Sequence, residues 1–255
     1  MEKRRVMLIV SYDGTNYNGW AYQPADNVIT IEGLLNDAIH AATGEDIKVI
    51  GASRTDAGVH AYGNIAVFDT CSSIPPDRFS FVINHLLPED VRIVSSRQVP
   101  GDFHPRHCDT RKTYEYRFLN SKEEVPTKRL YTYHMNIPMD EKRMLEASAY
   151  FLGEHDFTSF CNVNSQAESH VRIIYDLHVT RIGDEVIISI TGNGFLYNMV
   201  RIIAGTLMQV GIGKKEPKDM ADIIQAKDRG KAGPTAPANG LFLIGYKYPD
   251  GTFEM

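Results

Sequence analysis

The sequence predicts an α+β protein made of two consecutive β-α-β-β-α-β units with mainly antiparallel sheets. Three observations predict it. Short apolar stretches, alternating or continuous and bounded by turn residues, read as strands. Longer stretches carry apolar residues at helical spacing and open on Thr, Asp or Pro. The order strand, helix, strand, strand, helix, strand runs once before residue 100 and again after it. That order belongs to the ferredoxin-like unit, so two such units in tandem are expected.

In the first half, residues 5–12 (RVMLIVSY) read as a buried strand that ends at the Asp13-Gly14 turn signal. Thr30 is the expected N-cap of a helix whose Ile31, Leu34, Leu35, Ala38, Ile39 and Ala42 share one face, and Gly44 ends it. Residues 47–52 and 62–70 are two strands flanking a polar loop. Pro75-Pro76 open a second helix that runs to Leu87, Pro88 stops it, and 91–99 is the next strand.

In the second half, residues 110–119 (TRKTYEYRFL) alternate as a strand, and Asp140 opens a helix over 140–152. Strands at 171–182 and 185–192 flank the Gly183-Asp184 turn. Residues 195–210 form a strongly apolar helix, 217–227 an amphipathic one, and 241–248 (LFLIGYKY) a closing strand. The stretch 228–240 (DRGKAGPTAPANG) reads as a mobile loop, and 153–170 as a long irregular connection of the kind that often carries function. Pro, Gly and His cluster between Pro100 and Cys108, which places the expected boundary there, with units at 1–105 and 106–255.

Composition excludes several classes. At 43% hydrophobic and 23% charged, the chain is an ordinary globular protein that needs no metal or disulfide staple. Cys71, Cys108 and Cys161 are scattered, odd in number and free of any CxxC pair, so a reducing, cytoplasmic compartment is expected. The basic start and short apolar run of MEKRRVMLIVSYDG lead into a turn, which reads as a first strand and not a signal peptide. No run approaches a membrane span. The net charge of -5 gives no general affinity for nucleic acid, though affinity depends on where the cations sit. Arg97, Arg106, Arg111, Lys112 and Arg117, with His104 and His107, lie close together in sequence, diluted by Asp102, Asp109 and Glu115. By charge alone this is a solvated face.

Two features carry candidate chemistry. The first is Gly51-Ala52-Ser53-Arg54-Thr55-Asp56-Ala57-Gly58-Val59-His60-Ala61, a polar loop between two strands. Taken alone, Asp-Ala-Gly is a common turn. The second is the run from Phe195 to Gly213, in which Arg201 is the one charged residue, flanked by Val200 and Ile202. A guanidinium keeps its proton, so burial would require a carboxylate partner, whereas a long stem could instead carry it to a rim. If it is buried, Asp56 is the best-placed partner, and an ionised carboxylate is the form a nucleophile or base needs.

At these residues the chain resembles a known family. Arg54-Thr55-Asp56-Ala57-Gly58-Val59-His60 is similar to the signature of the TruA-type tRNA pseudouridine synthases. Tyr12-Asp13-Gly14-Thr15 with Gly19-Trp20 resembles that family's opening, and Phe103-His104-Pro105-Arg106 with Lys112-Thr113-Tyr114-Glu115-Tyr116 its middle. Asp156-Phe157-Thr158-Ser159-Phe160, Gly192-Asn193-Gly194-Phe195 and Met199-Val200-Arg201 resemble its later motifs. The resemblance spans nearly the whole chain. One departure is Ala21, where a glutamine usually follows the tryptophan, which puts a local hydrogen bond in doubt.

The resemblance implies two ferredoxin-like units with a catalytic cleft between them, and conversion of uridine to pseudouridine at positions 38, 39 and 40 of the tRNA anticodon stem-loop. Asp56 would be the catalytic aspartate, acting either as nucleophile or as base in a glycal route. Arg201 would pair with Asp56. Tyr114 would pack on the target base and take part in proton transfer. Arg54 would fill the space left by the flipped nucleotide, and His60, Arg106 and Lys112 would contact RNA. No cofactor and no metal are implied, because one nucleotide is rearranged internally. The expected partners are tRNA and a second copy of the chain in a homodimer, with no membrane. Two other classes compete with this one. An RNA-binding module without catalysis would display paired aromatics in an RNP-like pattern, which the chain lacks. A metal-dependent hydrolase would rest on His104, His107 and Asp109, with no matching Cys/His cluster elsewhere.

Overall fold

The structure is a computed structural model, and it describes residues 2–106 and 109–248. The chain divides into two compact units: Met1–Asp109 with Leu243–Met255, and Thr110–Phe242. The expected boundary was 105/106, with 106–255 together. Instead, residues 243–248 group with the first unit, where the Tyr246 hydroxyl donates to buried Asn64.

In the first unit the strands are β1 (Arg4–Tyr12), β2 (Ile50–Gly51), β3 (His60–Thr70) and β4 (Val91–Val99). The helices are α1 (Ile31–Thr43) and α2 (Phe79–Asn84). β1 lies between β4 and β3, antiparallel to both, and β2 pairs antiparallel with β3. Helix α1 starts and stops for local reasons. The Thr30 side chain accepts from Gly33 N, and Gly44 at φ 74 returns its N–H to His40 O. Its buried residues are Ile31, Leu35, Ala38 and Ile39, and the β1–β3 register puts buried Val6, Leu8, Ala66 and Phe68 together on one face of the sheet. Phe79 of α2 meets Phe68 edge-on at 5.2 Å. The expected 75–87 helix is divided here, with a 3-10 turn at Pro76–Arg78 ahead of a six-residue α2. The expected strand at 47–52 shrinks to two residues.

In the second unit the strands are β5 (Arg111–Leu119), β6 (Tyr133–His134), β7 (Gly153–Asp156), β8 (Val171–Ile182) and β9 (Glu185–Gly192). Its helices are α3 (Glu141–Ser148), α4 (Met199–Gly211) and α5 (Asp219–Ala226). β9 lies between β5 and β8, antiparallel to both, β7 pairs antiparallel with β8, and the short β6 runs parallel to β5. Asp140 caps α3 through Lys142 N and Arg143 N, as expected from its position. Helix α4 begins four residues later than the 195 expected from hydropathy. Asn198 sits at φ 62, a left-handed conformation that Asn tolerates and a helix does not. The connection at 153–170 is more ordered than its polarity suggested. It contributes β7 and a 3-10 turn at Thr158–Phe160, and Phe157 and Phe160 are fully buried. The 228–240 loop, expected to be mobile, lies packed against α4, with Ala236 only 2% exposed. The closing strand β10 (Leu241–Lys247) starts in the second unit and ends in the first. Among the described residues, no helix is long and apolar enough to cross a membrane.

Candidate active-site loop and its supports

Asp56 lies half-buried in the loop that joins β2 to β3. Val59 N donates to Asp56 O at 3.2 Å, and Gly58 adopts φ 77. A type II turn requires that positive φ at its third residue, which explains the Asp-Ala-Gly run in conformational terms.

The loop rests on the segment that follows β1. Trp20 N donates to Thr55 O at 3.0 Å and Gly58 N to Tyr17 O at 3.3 Å. Gly19, at φ 88, comes so close that an added methyl would lie 2.6 Å from Thr55 O. A methyl on Gly14 would lie 2.0 Å from Val59 O. Only glycine permits these backbone approaches. The separated motifs Asp13-Gly14, Gly19-Trp20 and Arg54–His60 therefore form one structural unit. Trp20 is fully buried and stacks over Gly51, consistent with a core aromatic.

Side chains complete the support. The Tyr12 hydroxyl is 2.7 Å from Thr55 Oγ1. Asn64, fully buried in β3 beside the apolar run Ile65-Ala66-Val67-Phe68, accepts from Ser53 N at 3.3 Å and donates to Ser53 O at 3.0 Å. Its Oδ1 also accepts from the Tyr246 hydroxyl at 2.8 Å. Sequence reasoning passed over Asn64 and Tyr246. The available signal was Asn64 itself, one amide within the run Ile65-Ala66-Val67-Phe68 and its flanks, the same kind of signal that singled out Arg201.

The other candidate residues are placed as follows. His60 is 2% exposed, and its Nδ1 lies 3.1 Å from both Gly14 N and Asp13 Oδ1, so the ring pins the Asp13-Gly14 turn from inside. Arg54 is exposed. Arg106 is also exposed, and its Nε donates to Gly51 O at 2.7 Å. Packing of that guanidinium head, and then the Arg54 charge, hold the Arg106 pKa below its usual value. Arginine keeps its proton in proteins, so two like charges stand near each other beside the Asp56 loop.

In the second unit, Lys112 is half-buried on β5, opposite Gly192 of β9. Tyr114, 8% exposed, meets Phe195 edge-on at 5.2 Å. Arg201 is half-buried, between the fully buried and rim-reaching alternatives. Its Nε donates to Ala236 O at 2.8 Å and its Nη1 to Asn198 Oδ1 at 2.9 Å. His107, part of the metal-hydrolase alternative, lies outside the described residues. Among the described residues, no group of three His, Cys, Asp or Glu is arranged to hold a metal ion.

A carboxylate held on a rigid loop beside paired cations is suited to chemistry on an anionic substrate, and comparison with known proteins defines the class. The model of the family described as tRNA pseudouridine synthase matches residues 8–107 and 147–249, and the chain belongs to that family. It is therefore an isomerase of the pseudouridine synthase class. A relative named tRNA pseudouridine synthase A from Acetivibrio thermocellus is 47% identical over 245 residues, covering 96% of this chain and 100% of that protein. One of the same name from Thermoanaerobacter sp. strain X514 is 46% identical over 241 residues, covering 94% of this chain and 98% of that protein. Clostridium tetani has a relative named tRNA pseudouridine synthase A 2, 46% identical over 240 residues, 94% of this chain and 97% of that protein.

Proposed function

We propose that the protein isomerises uridine to pseudouridine in tRNA, acting on positions 38, 39 and 40 of the anticodon stem-loop, with Asp56 as the catalytic carboxylate. The relatives' names support the substrate class. The observation that carries the assignment of Asp56 is its place in a loop whose backbone is fixed on both sides, before it by Trp20 N to Thr55 O and after it by Gly58 N to Tyr17 O. Preorganisation of this kind is what a catalytic group needs.

The target base is unreachable in the stack and must be flipped out. Asp56, as nucleophile or as base in a glycal route, assists cleavage of the bond between uracil N1 and ribose C1′. The uracil rotates, C5 bonds to C1′, and the proton lost from C5 is balanced by one gained at N1. Nothing is oxidised and no atom leaves, so the reaction requires no cofactor and no metal. Arg201 is the ionic partner of Asp56, since a guanidinium keeps its charge and holds a carboxylate ionised. Tyr114 packs on the base and serves the proton transfer. Arg54 fills the vacated stack, and Arg106 and Lys112 contact the RNA backbone. His60, which is buried, contributes to RNA binding through the loop it supports. The chain acts as a cytoplasmic homodimer. We further read its units as ferredoxin-like, and the first unit's strand order β4-β1-β3-β2 supports this.

The test is Asp56→Ala. Pseudouridine mapped in an unmodified tRNA transcript should disappear while the circular dichroism spectrum and tRNA binding persist. Turnover at the wild-type rate would sink the assignment.

A further inference from the structure

The Gly-, Pro- and Ala-rich segment 228–240 has no part in the chemistry above, yet it is held along its length. At its start, Lys227 Nζ meets Asp156 Oδ2 at 2.9 Å, and Asp228 N donates to the buried Ser159 Oγ at 2.9 Å. In its middle, Gly233 N donates to Thr206 Oγ1 at 2.8 Å, and that hydroxyl in turn donates to Ile202 O at 2.7 Å. At its end, the Tyr116 hydroxyl donates to Pro237 O at 2.7 Å. Pro234 and Pro237 further restrict the backbone.

Helix α4 is built to receive this loop. Gly205 weakens the helix interior relative to alanine, but a methyl there would lie 1.9 Å from Pro234 O. A methyl on Gly233 would lie 2.7 Å from both Gly205 O and Thr206 Cα. Two glycines thus stand back to back at one contact. One turn of helix earlier, Ala236 N donates to Arg201 O at 3.1 Å while Arg201 Nε donates to Ala236 O at 2.8 Å. With Nη1 held by Asn198, two nitrogens of a rigid planar fork are fixed, which sets the plane of the whole guanidinium.

We propose that the Gly233–Ala236 segment, seated on Gly205 and Thr206, is a positioning element that sets the direction of the Arg201 guanidinium. Thr206 and Gly205 are then positioning residues for the reaction although neither touches the substrate. This rests on the role given to Arg201 above.

Gly205→Ala risks failing to fold, so the primary variant is Thr206→Val, which keeps the shape and removes the acceptor for Gly233 N. Thr206→Ser, which keeps the hydroxyl, is the rescue. With wild-type chain and unmodified tRNA transcript, Thr206→Val should lower the single-turnover rate about tenfold or more and leave the Kd for tRNA within about twofold. Thr206→Ser should recover most of the rate. Hydrogen exchange of the Arg201 Nε–H, followed by nitrogen-15 NMR, should quicken in Thr206→Val alone. An unchanged rate in Thr206→Val, or a loss that Thr206→Ser does not recover, overturns the proposal when Arg201→Ala is inactive. If Arg201→Ala keeps the wild-type rate, the role of Arg201 in the reaction falls and takes the proposal with it. The exchange measurement then still reports whether the loop orients that side chain.

Discussion

Replacing Asn64 by alanine tests the support of the Asp56 loop most directly. The side chain is fully buried and makes three hydrogen bonds of 3.3 Å or shorter: from Ser53 N, to Ser53 O and from the Tyr246 hydroxyl. A longer contact of 3.4 Å reaches the Tyr12 hydroxyl. Each bond contributes about 1 kcal/mol net, and each buried group left unpaired costs about 1–3 kcal/mol. Water entering the small polar space offsets part of that penalty. The expected loss for Asn64→Ala is therefore ~3–5 kcal/mol, a large share of the 5–15 kcal/mol typical of a folded domain. Tyr246→Phe removes one of the bonds and leaves Oδ1 with its Ser53 partner, so about 1 kcal/mol is expected. Urea unfolding at constant m-value measures both, and the double variant gives their coupling. The pseudouridine-forming rate should fall further than stability alone accounts for, because Ser53 lies three residues before Asp56. A loss below about 1 kcal/mol for Asn64→Ala, or no coupling with Tyr246→Phe, would refute the account of the loop as held from beneath.

Gly51→Ala places a methyl 2.2 Å from Trp20 Nε1, against a fully buried ring that has no free space to move into. A cost of ~2–3 kcal/mol is expected. The chain has one tryptophan, so its emission spectrum reads the displacement directly, and an unchanged spectrum would count against the packing described. Asp156 is held down to about 2 by the Thr158 hydroxyl first and by Lys227 second. Since its folded pKa lies below the unfolded value of about 4, the stabilisation is full above that value and is lost as pH falls towards 2. With the side chain 29% exposed, Asp156→Asn should cost ~1–2 kcal/mol at pH 7. The urea midpoints of variant and wild type should then converge between pH 4 and 2, and a constant gap would disprove the account of Asp156 as a carboxylate stabilised by Thr158 and Lys227.

Much of the architecture was legible because it is local. Thr30 and Gly44 bracket α1, Asp140 opens α3, and Gly183-Asp184 turns β8 into β9, since caps and turns depend on the conformational preferences of single residues. The motif residues were legible too, as a likeness. Their reason for being together was not. Gly14 and Gly19 are required by the backbone of Val59 and of Thr55, which comes close to them from far along the chain.

By itself, the sequence determined the longer strands and helices and their order, though not the short β6 and β7, along with the family and Asp56 as the carboxylate to examine. It also flagged Arg201 as a charge out of place. Only the tertiary structure decided that Arg201 is half-buried with its fork held by Ala236 and Asn198, and that the 228–240 segment is seated and not loose. It also decided that residues 243–248 group with the first unit. The physical reason is common to all three. Composition reports how a segment behaves in water, whereas these outcomes depend on which distant backbone donors and acceptors come within hydrogen-bonding distance once the core has closed.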